Sequence, residues 1–183
     1  SSAASDVYKR QIVILTATKE EYELAKKYLA GYRIVQTGVG ASNVIHTLSR
    51  LIVTIPQAHF INVGFSGSNK LSAGTVTKVS YSHRLVDENV KFQDFRNGFF
   101  LEYNGYECYT SNSFVTESTS ETPVLYDMEL NYIVAFPIDL IGSVKIVSDN
   151  LDVLEYETNI DTSTPEIWGE VRKLVDDLAS KRE

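Results

Sequence analysis

The sequence predicts an α/β protein: a central mixed, mostly parallel sheet with helices on both sides, in three α/β/α layers. Two observations carry this. Short β-branched runs such as "QIVILT" and "SVKIV" alternate with stretches whose apolar residues recur at helical spacing. Glycines and prolines (Gly31, Gly38, Gly40, Pro56, Gly74, Pro137) fall between these stretches, where the chain must turn.

Taken in order, residues 11–16 read as a buried strand. Over 19–30, Tyr22, Leu24, Ala25, Tyr28 and Leu29 recur as one helical face, and Gly31 stops it. "YRIVQT" reads as a second strand. Residues 41–54 carry Val44, Ile45, Leu48, Leu51 and Ile52 at helical spacing and read as a helix ended by Pro56. "HFINVGFSGS" predicts a buried strand followed by a Gly/Ser turn, and "GTVTKVSYS" another strand. Residues 85–97 have no clear period and read as a loop. "FFLEYNGYECYT" reads as a hairpin, with Asn104-Gly105 at positions that need positive φ. Residues 127–136 suit a helix ended by Pro137, although ten residues also fit a strand. "SVKIV" is a strand closed by Ser148-Asp149-Asn150, and residues 152–161 are acidic and expected at the surface. The last helix is capped by Thr164 and opens with Pro165 and Glu166. Ile167, Trp168, Val171, Leu174, Val175 and Leu178 form its apolar stripe.

Composition narrows the function. At 183 residues the chain suits one domain with a full core. The first ten residues, SSAASDVYKR, read as a flexible or foreign leader, which leaves 11–183 as a single domain. A net charge of -7 argues against nucleic-acid and anionic-membrane surfaces, which need a basic face. No apolar run approaches the ~20 residues that span a bilayer. The single cysteine, Cys108, cannot form an internal disulfide and suits a reducing, cytoplasmic compartment.

In α/β sheets, functional groups gather at the carboxyl ends of strands. Polar residues cluster there at 16–21, 37–40, 64–68 and 148–150. Gly38-Val39-Gly40 lacks the third glycine of a dinucleotide fingerprint and fits a tight strand-to-helix turn. No Walker-type GK[ST] occurs. His46, His59 and His83 show no ligand spacing, which leaves no metal site, and Cys108 reads as a small core residue. The remaining candidates are carboxylates: Glu20 or Glu21, Glu129 and Asp149. Asp127 and Glu129 also flank Met128 inside an otherwise apolar run. Because an unpartnered buried carboxylate is costly, either the pair sits at a solvated helix start or something polar comes to meet it.

"ATKEE", "TGVGASNV", "INVGFSGSNKLSAGTV", "YDMELNYIVAF" and "IVSDN" occur in one order. In that order the chain resembles the nucleoside phosphorylase/nucleosidase superfamily, and is most similar to methylthioadenosine/S-adenosylhomocysteine nucleosidase, over about residues 11–178. The resemblance implies an enzyme that hydrolyses the N-glycosidic bond of a purine nucleoside, without a cofactor. It implies that Asp149 donates a proton to the purine and Glu21 activates water. Met128 and Glu129 would hold the ribose, and Phe114, Val115, Ser148 and Asp149 the base. Gly64, Phe65, Ser66 and Gly67 would form the turn at the nucleophile site. It further implies a homodimer or larger homo-oligomer, with 83–100 as a candidate interface.

Several residues depart from the family pattern. Thr18 stands where the family has Met, Phe65 where a Ser is usual, and Lys145 where an Arg is common. An early hairpin and the helix before the base-binding segment are missing. A phosphorylase would hold phosphate with arginines, one of them at the position of Asn62 and another in the first loop, which here is the arginine-free "TATKEE". Hydrolysis is therefore favoured over phosphorolysis. A noncatalytic nucleoside-binding member is the third alternative.

Overall fold

A computed structural model describes residues 2–85, 98–152 and 161–182. Its elements run α1 (Ser2–Lys9), β1 (Ile12–Thr16), α2 (Lys19–Tyr28), β2 (Arg33–Gln36), α3 (Gly40–Thr54), β3 (His59–Ser68) and β4 (Val76–Arg84). They continue with β5 (Phe99–Phe100), β6 (Tyr106–Thr110), β7 (Leu125–Asp127), α4 (Leu130–Val134), β8 (Asp139–Asp149) and α5 (Pro165–Ser180). The strands form one mixed, mostly parallel sheet in the order β2-β1-β3-β7-β6-β4-β5. The long β8 pairs with β3 on one side and β4 on the other, so the sheet curls strongly.

Alternation along β1 sets the layers. Ile12 and Ile14 point to one side and pack with Ala25 of α2, Leu29 at its C-cap, and Trp168, Val171 and Val175 of α5. Val13 and Leu15 point to the other side, against Val44 and Leu48 of α3 and Ile133 of α4. Helices thus cover both faces, as the sequence predicts.

Local chemistry fixes the helix starts. Thr18 accepts from the Glu21 amide while the Glu21 carboxylate accepts from the Thr18 amide, a reciprocal capping box at the head of α2. Thr164 caps α5, and Trp168 Nε1 donates to the Thr162 carbonyl at 2.7 Å, which satisfies the indole donor where it is buried.

Residues 2–9 form a helix, and the Tyr8 ring rests against the core near His59. Three expectations are corrected. The Gly/Ser turn expected at 64–68 is instead the continuation of β3, held by β8 and β7. The hairpin over 99–110 does not form: β5 pairs antiparallel with β4, whereas β6 lies parallel to both β4 and β7. Neither Asn104 nor Gly105 has a positive φ. Gly105 is needed for close approach, since a Cβ there would lie 2.3 Å from the Lys78 carbonyl oxygen. Finally, Asp127 ends a strand, and the helix begins only at Leu130 with Glu129 as N-cap. The loop expected over 85–97 and the acidic stretch over 152–161 fall almost wholly outside the described residues.

Candidate active site

The carboxyl ends of β1, β3, β7 and β8 open onto one cavity of about 210 Å³. It is lined by Thr18, Glu21, Val39, Phe65, Ser66, Gly67, Phe114, Tyr126, Asp127, Met128, Glu129, Ser148 and Asp149. A narrower recess continues from it between Phe114, Val115, Gly67 and Asp149. A larger concavity, about 480 Å³, lies at the opposite end of the sheet around Arg10, Arg33 and Pro56. Among the described residues no buried acid or base lines it, so the smaller cavity is the candidate.

Glu21 reaches the cavity from the first turn of α2. Its Oε2 accepts from the amides of Ala17 (2.7 Å) and Thr18 (2.9 Å), and its Oε1 from that of Phe65 (2.9 Å). Burial pushes its pKa up, and the three amides oppose that shift. The result is a fixed carboxylate that is a stronger base than one in water. Gly64 lies beneath it, where a Cβ would sit 3.1 Å from Glu21 Oε1.

Asp127 and Glu129, the two carboxylates around Met128, have different partners. Asp127 is buried and accepts from Lys145 Nζ (3.0 Å), Thr110 Oγ1 (2.5 Å) and the Leu130 amide (2.8 Å). It therefore caps α4 and neutralises a lysine that is itself 1 % exposed. Burial alone would raise Asp127, but Lys145 and these donors hold it below the ordinary carboxylate range. Glu129 turns across to the Gly38–Gly40 turn and accepts from the Gly40 amide at 2.8 Å. Both glycines have positive φ (84° and 82°), which lets the turn present that amide. Burial, and then repulsion from Asp127, pushes Glu129 up to about 7.

Asp149 ends β8. A register shift between Ser66 and Gly67 sets it opposite Gly67, as bulges at strand ends re-aim side chains. It accepts from Ser148 Oγ (2.8 Å) and the Leu151 amide (2.9 Å). A Cβ at Gly67 would lie 3.0 Å from Asp149 Oδ1, so only glycine leaves the acid its place. Every site residue expected from the sequence lines this cavity or its recess, apart from Gly64, which supports it from below. Sequence reasoning missed the pairing of Asp127 with Lys145, although each was a charge inside an otherwise apolar run. Among the described residues no arginine or lysine lines the cavity, and no His, Cys, Asp and Glu group converges as a metal site.

No protein-family model and no curated protein matches the chain by sequence. Solved structures do. One is methylthioadenosine/S-adenosylhomocysteine nucleosidase from Helicobacter pylori, bound to butyl-thio-DADMe-Immucillin-A. It aligns at TM-score 0.72 and 14% identity, over 92% of this chain and 98% of that one. The chain has the nucleosidase fold. Futalosine hydrolase of Helicobacter pylori aligns to this fold at 0.71 and 13% identity, over 92% and 98%. The Neisseria meningitidis nucleosidase with methylthio-immucillin-A aligns at 0.69 and 18% identity, over 91% and 98%. The Phe65 amide donates to Glu21 while Phe65 also lines the cavity, and Lys145 is paired with Asp127.

The pH dependence of Glu129 gives a test of this electrostatic reading. Its folded-state pKa, about 7, exceeds its ordinary value of 4.5, so the folded state binds the proton more tightly. The associated stability is full below pH 4.5 and is lost as pH rises through 7, by an amount on the order of 3 kcal/mol. Gln cannot ionise and keeps an acceptor for the Gly40 amide. Glu129→Gln is therefore expected to unfold at higher urea than the parent at pH 8 and to match it near pH 4.5. Equal offsets at both pH values would contradict the shift.

Proposed function

We propose that the protein is a purine nucleosidase that hydrolyses the N-glycosidic bond of a nucleoside such as methylthioadenosine or S-adenosylhomocysteine. The observation that carries this reading is the convergence of Glu21, Glu129 and Asp149 on one cavity with Phe114 at its wall. Breaking an N-glycosidic bond builds positive charge on the sugar and negative charge on the base. Asp149 stands on the recess side, beside Phe114 and Val115, where it gives its proton to the departing purine. Phe114 stacks on that base. Glu129 accepts from ribose hydroxyls, with Met128 against the sugar, and its charge answers the developing cation. Glu21, anchored by three amides, takes the proton of the attacking water. Ser66 and Gly67 complete the wall between the water and the base.

Water is the nucleophile because, among the described residues, no arginine or lysine lines the cavity to hold phosphate. The cavity is lined by four carboxylates, and its nearest buried cation, Lys145, is already paired with Asp127. The reading includes a cytoplasmic enzyme that needs no cofactor. It also includes a homo-oligomer whose contact uses the stretch 83–100, where Phe99 and Phe100 are exposed.

The direct test is product analysis with methylthioadenosine, adenosine and inosine, each with and without phosphate. Free base at the same rate in both buffers is expected. Release that requires phosphate would favour a phosphorylase. Tight binding without release would favour a nucleoside-binding protein.

A further inference from the structure

The segment that carries Phe114 and Val115 has no regular structure: residues 111–124 lie between β6 and β7 without helix or strand. Backbone pairing therefore does not fix where Phe114 stands. At its start the Ser111 amide donates to the Asp127 carbonyl at 2.9 Å. In the middle, Ser118 Oγ meets the Tyr126 hydroxyl at 2.5 Å. At the far end one side chain makes three of the hydrogen bonds. Asn69 Nδ2 donates to the carbonyls of Ser120 (3.2 Å) and Thr122 (2.9 Å), and Asn69 Oδ1 accepts from the Val124 amide at 2.9 Å. Its neighbours add to this: Ser68 Oγ donates to the Val124 carbonyl at 2.7 Å, and Lys70 Nζ donates to the Glu121 carbonyl.

Asn69 follows directly on β3, the strand whose Phe65 amide holds Glu21 and whose Gly67 lies against Asp149. One strand end thus ties the acid and base groups to the segment that faces them. We infer that Asn69 is a positioning residue for base recognition. By clamping residues 120–124 it fixes the span between the Ser118 and Ser111 anchors, and so the place of Phe114 and Val115 over the recess. Only an amide does this, because the clamp needs two donors and one acceptor on the same short side chain. The role in recognition rests on the nucleosidase reading; the clamp itself does not.

Two readouts separate those parts. Hydrogen exchange of residues 111–124 in Asn69→Ala, against the parent, is expected to quicken by about tenfold or more while β1 and α5 stay protected. In Asn69→Asp, which keeps the acceptor and loses both donors, the Val124 amide is expected to stay protected while its neighbours open. Steady-state kinetics of Asn69→Ala on methylthioadenosine should show KM raised about five- to twentyfold, with kcat within about twofold of the parent. A merely structural residue would lower the active fraction, hence kcat, and leave KM alone. Unchanged exchange over 111–124 overturns the clamp whatever the substrate proves to be. Quickened exchange with unchanged KM overturns the role in recognition. A parent that cleaves no nucleoside defeats the nucleosidase reading, and with it the recognition role, and leaves the exchange result to decide the clamp.

Discussion

Replacing Asp149 with Asn is expected to lower kcat by about a hundredfold to ten-thousandfold with KM changed far less. That range is what a positioned general acid contributes. The substitution keeps the shape, and the Asn carbonyl still accepts from the Leu151 amide, while the Ser148 hydroxyl can rotate to accept from the new amide group. On the proposed mechanism, what is lost is the proton for the leaving purine. The effect therefore falls on the step where charge builds on the base and not on binding, which is read as kcat and kcat/KM falling together. Activity of Asp149→Asn at the parent's rate would remove Asp149 from the mechanism.

The second large effect is on stability. Lys145→Met is expected to cost about 3–5 kcal/mol in urea unfolding, because it leaves the Asp127 carboxylate buried without its cation. Both side chains are almost fully enclosed (2% and 0% exposed), so solvent cannot take over. Pairing Lys145→Met with Asp127→Asn removes the stranded charge. Asn keeps one carbonyl oxygen to accept from the Leu130 amide, and its NH2 can donate to Thr110 Oγ1 in place of the reverse bond, so most of the loss should return. A loss below about 1 kcal/mol in the single variant, or no recovery in the double, would mean that the pair does not hold the floor of the site.

What the sequence makes legible follows from the range of the interactions. Strand β1, helix α3 and helix α5 are set by local periodicity and caps, and could be placed from residues alone. The 99–110 segment could not. Asn104-Gly105 is a strong local hairpin signal, but β4 and β7 capture β6 in parallel, and that competition is written in distant residues. The end of β7 is a similar case. Asp127 suits a helix start by itself, and it does cap α4, but pairing of β7 with β3 and β6 draws its backbone into the sheet. In the site, Glu21, Glu129 and Asp149 stood out because carboxylates at strand ends need partners. The Asp127–Lys145 pair did not, since its members are 18 positions apart on different strands. Asn69 lay inside a segment noted for its glycines, and the contacts that give it meaning lie more than fifty residues on.

Cleavage of methylthioadenosine in ¹⁸O-labelled water, with the released sugar read by mass spectrometry, tests the central claim most directly. If Glu21 activates water for attack on the sugar, the heavy oxygen is expected at the anomeric carbon of every sugar freed in a single turnover, with adenine released in equal amount. Free adenine with an unlabelled sugar phosphate, or an intact nucleoside after prolonged incubation with the enzyme, would contradict it.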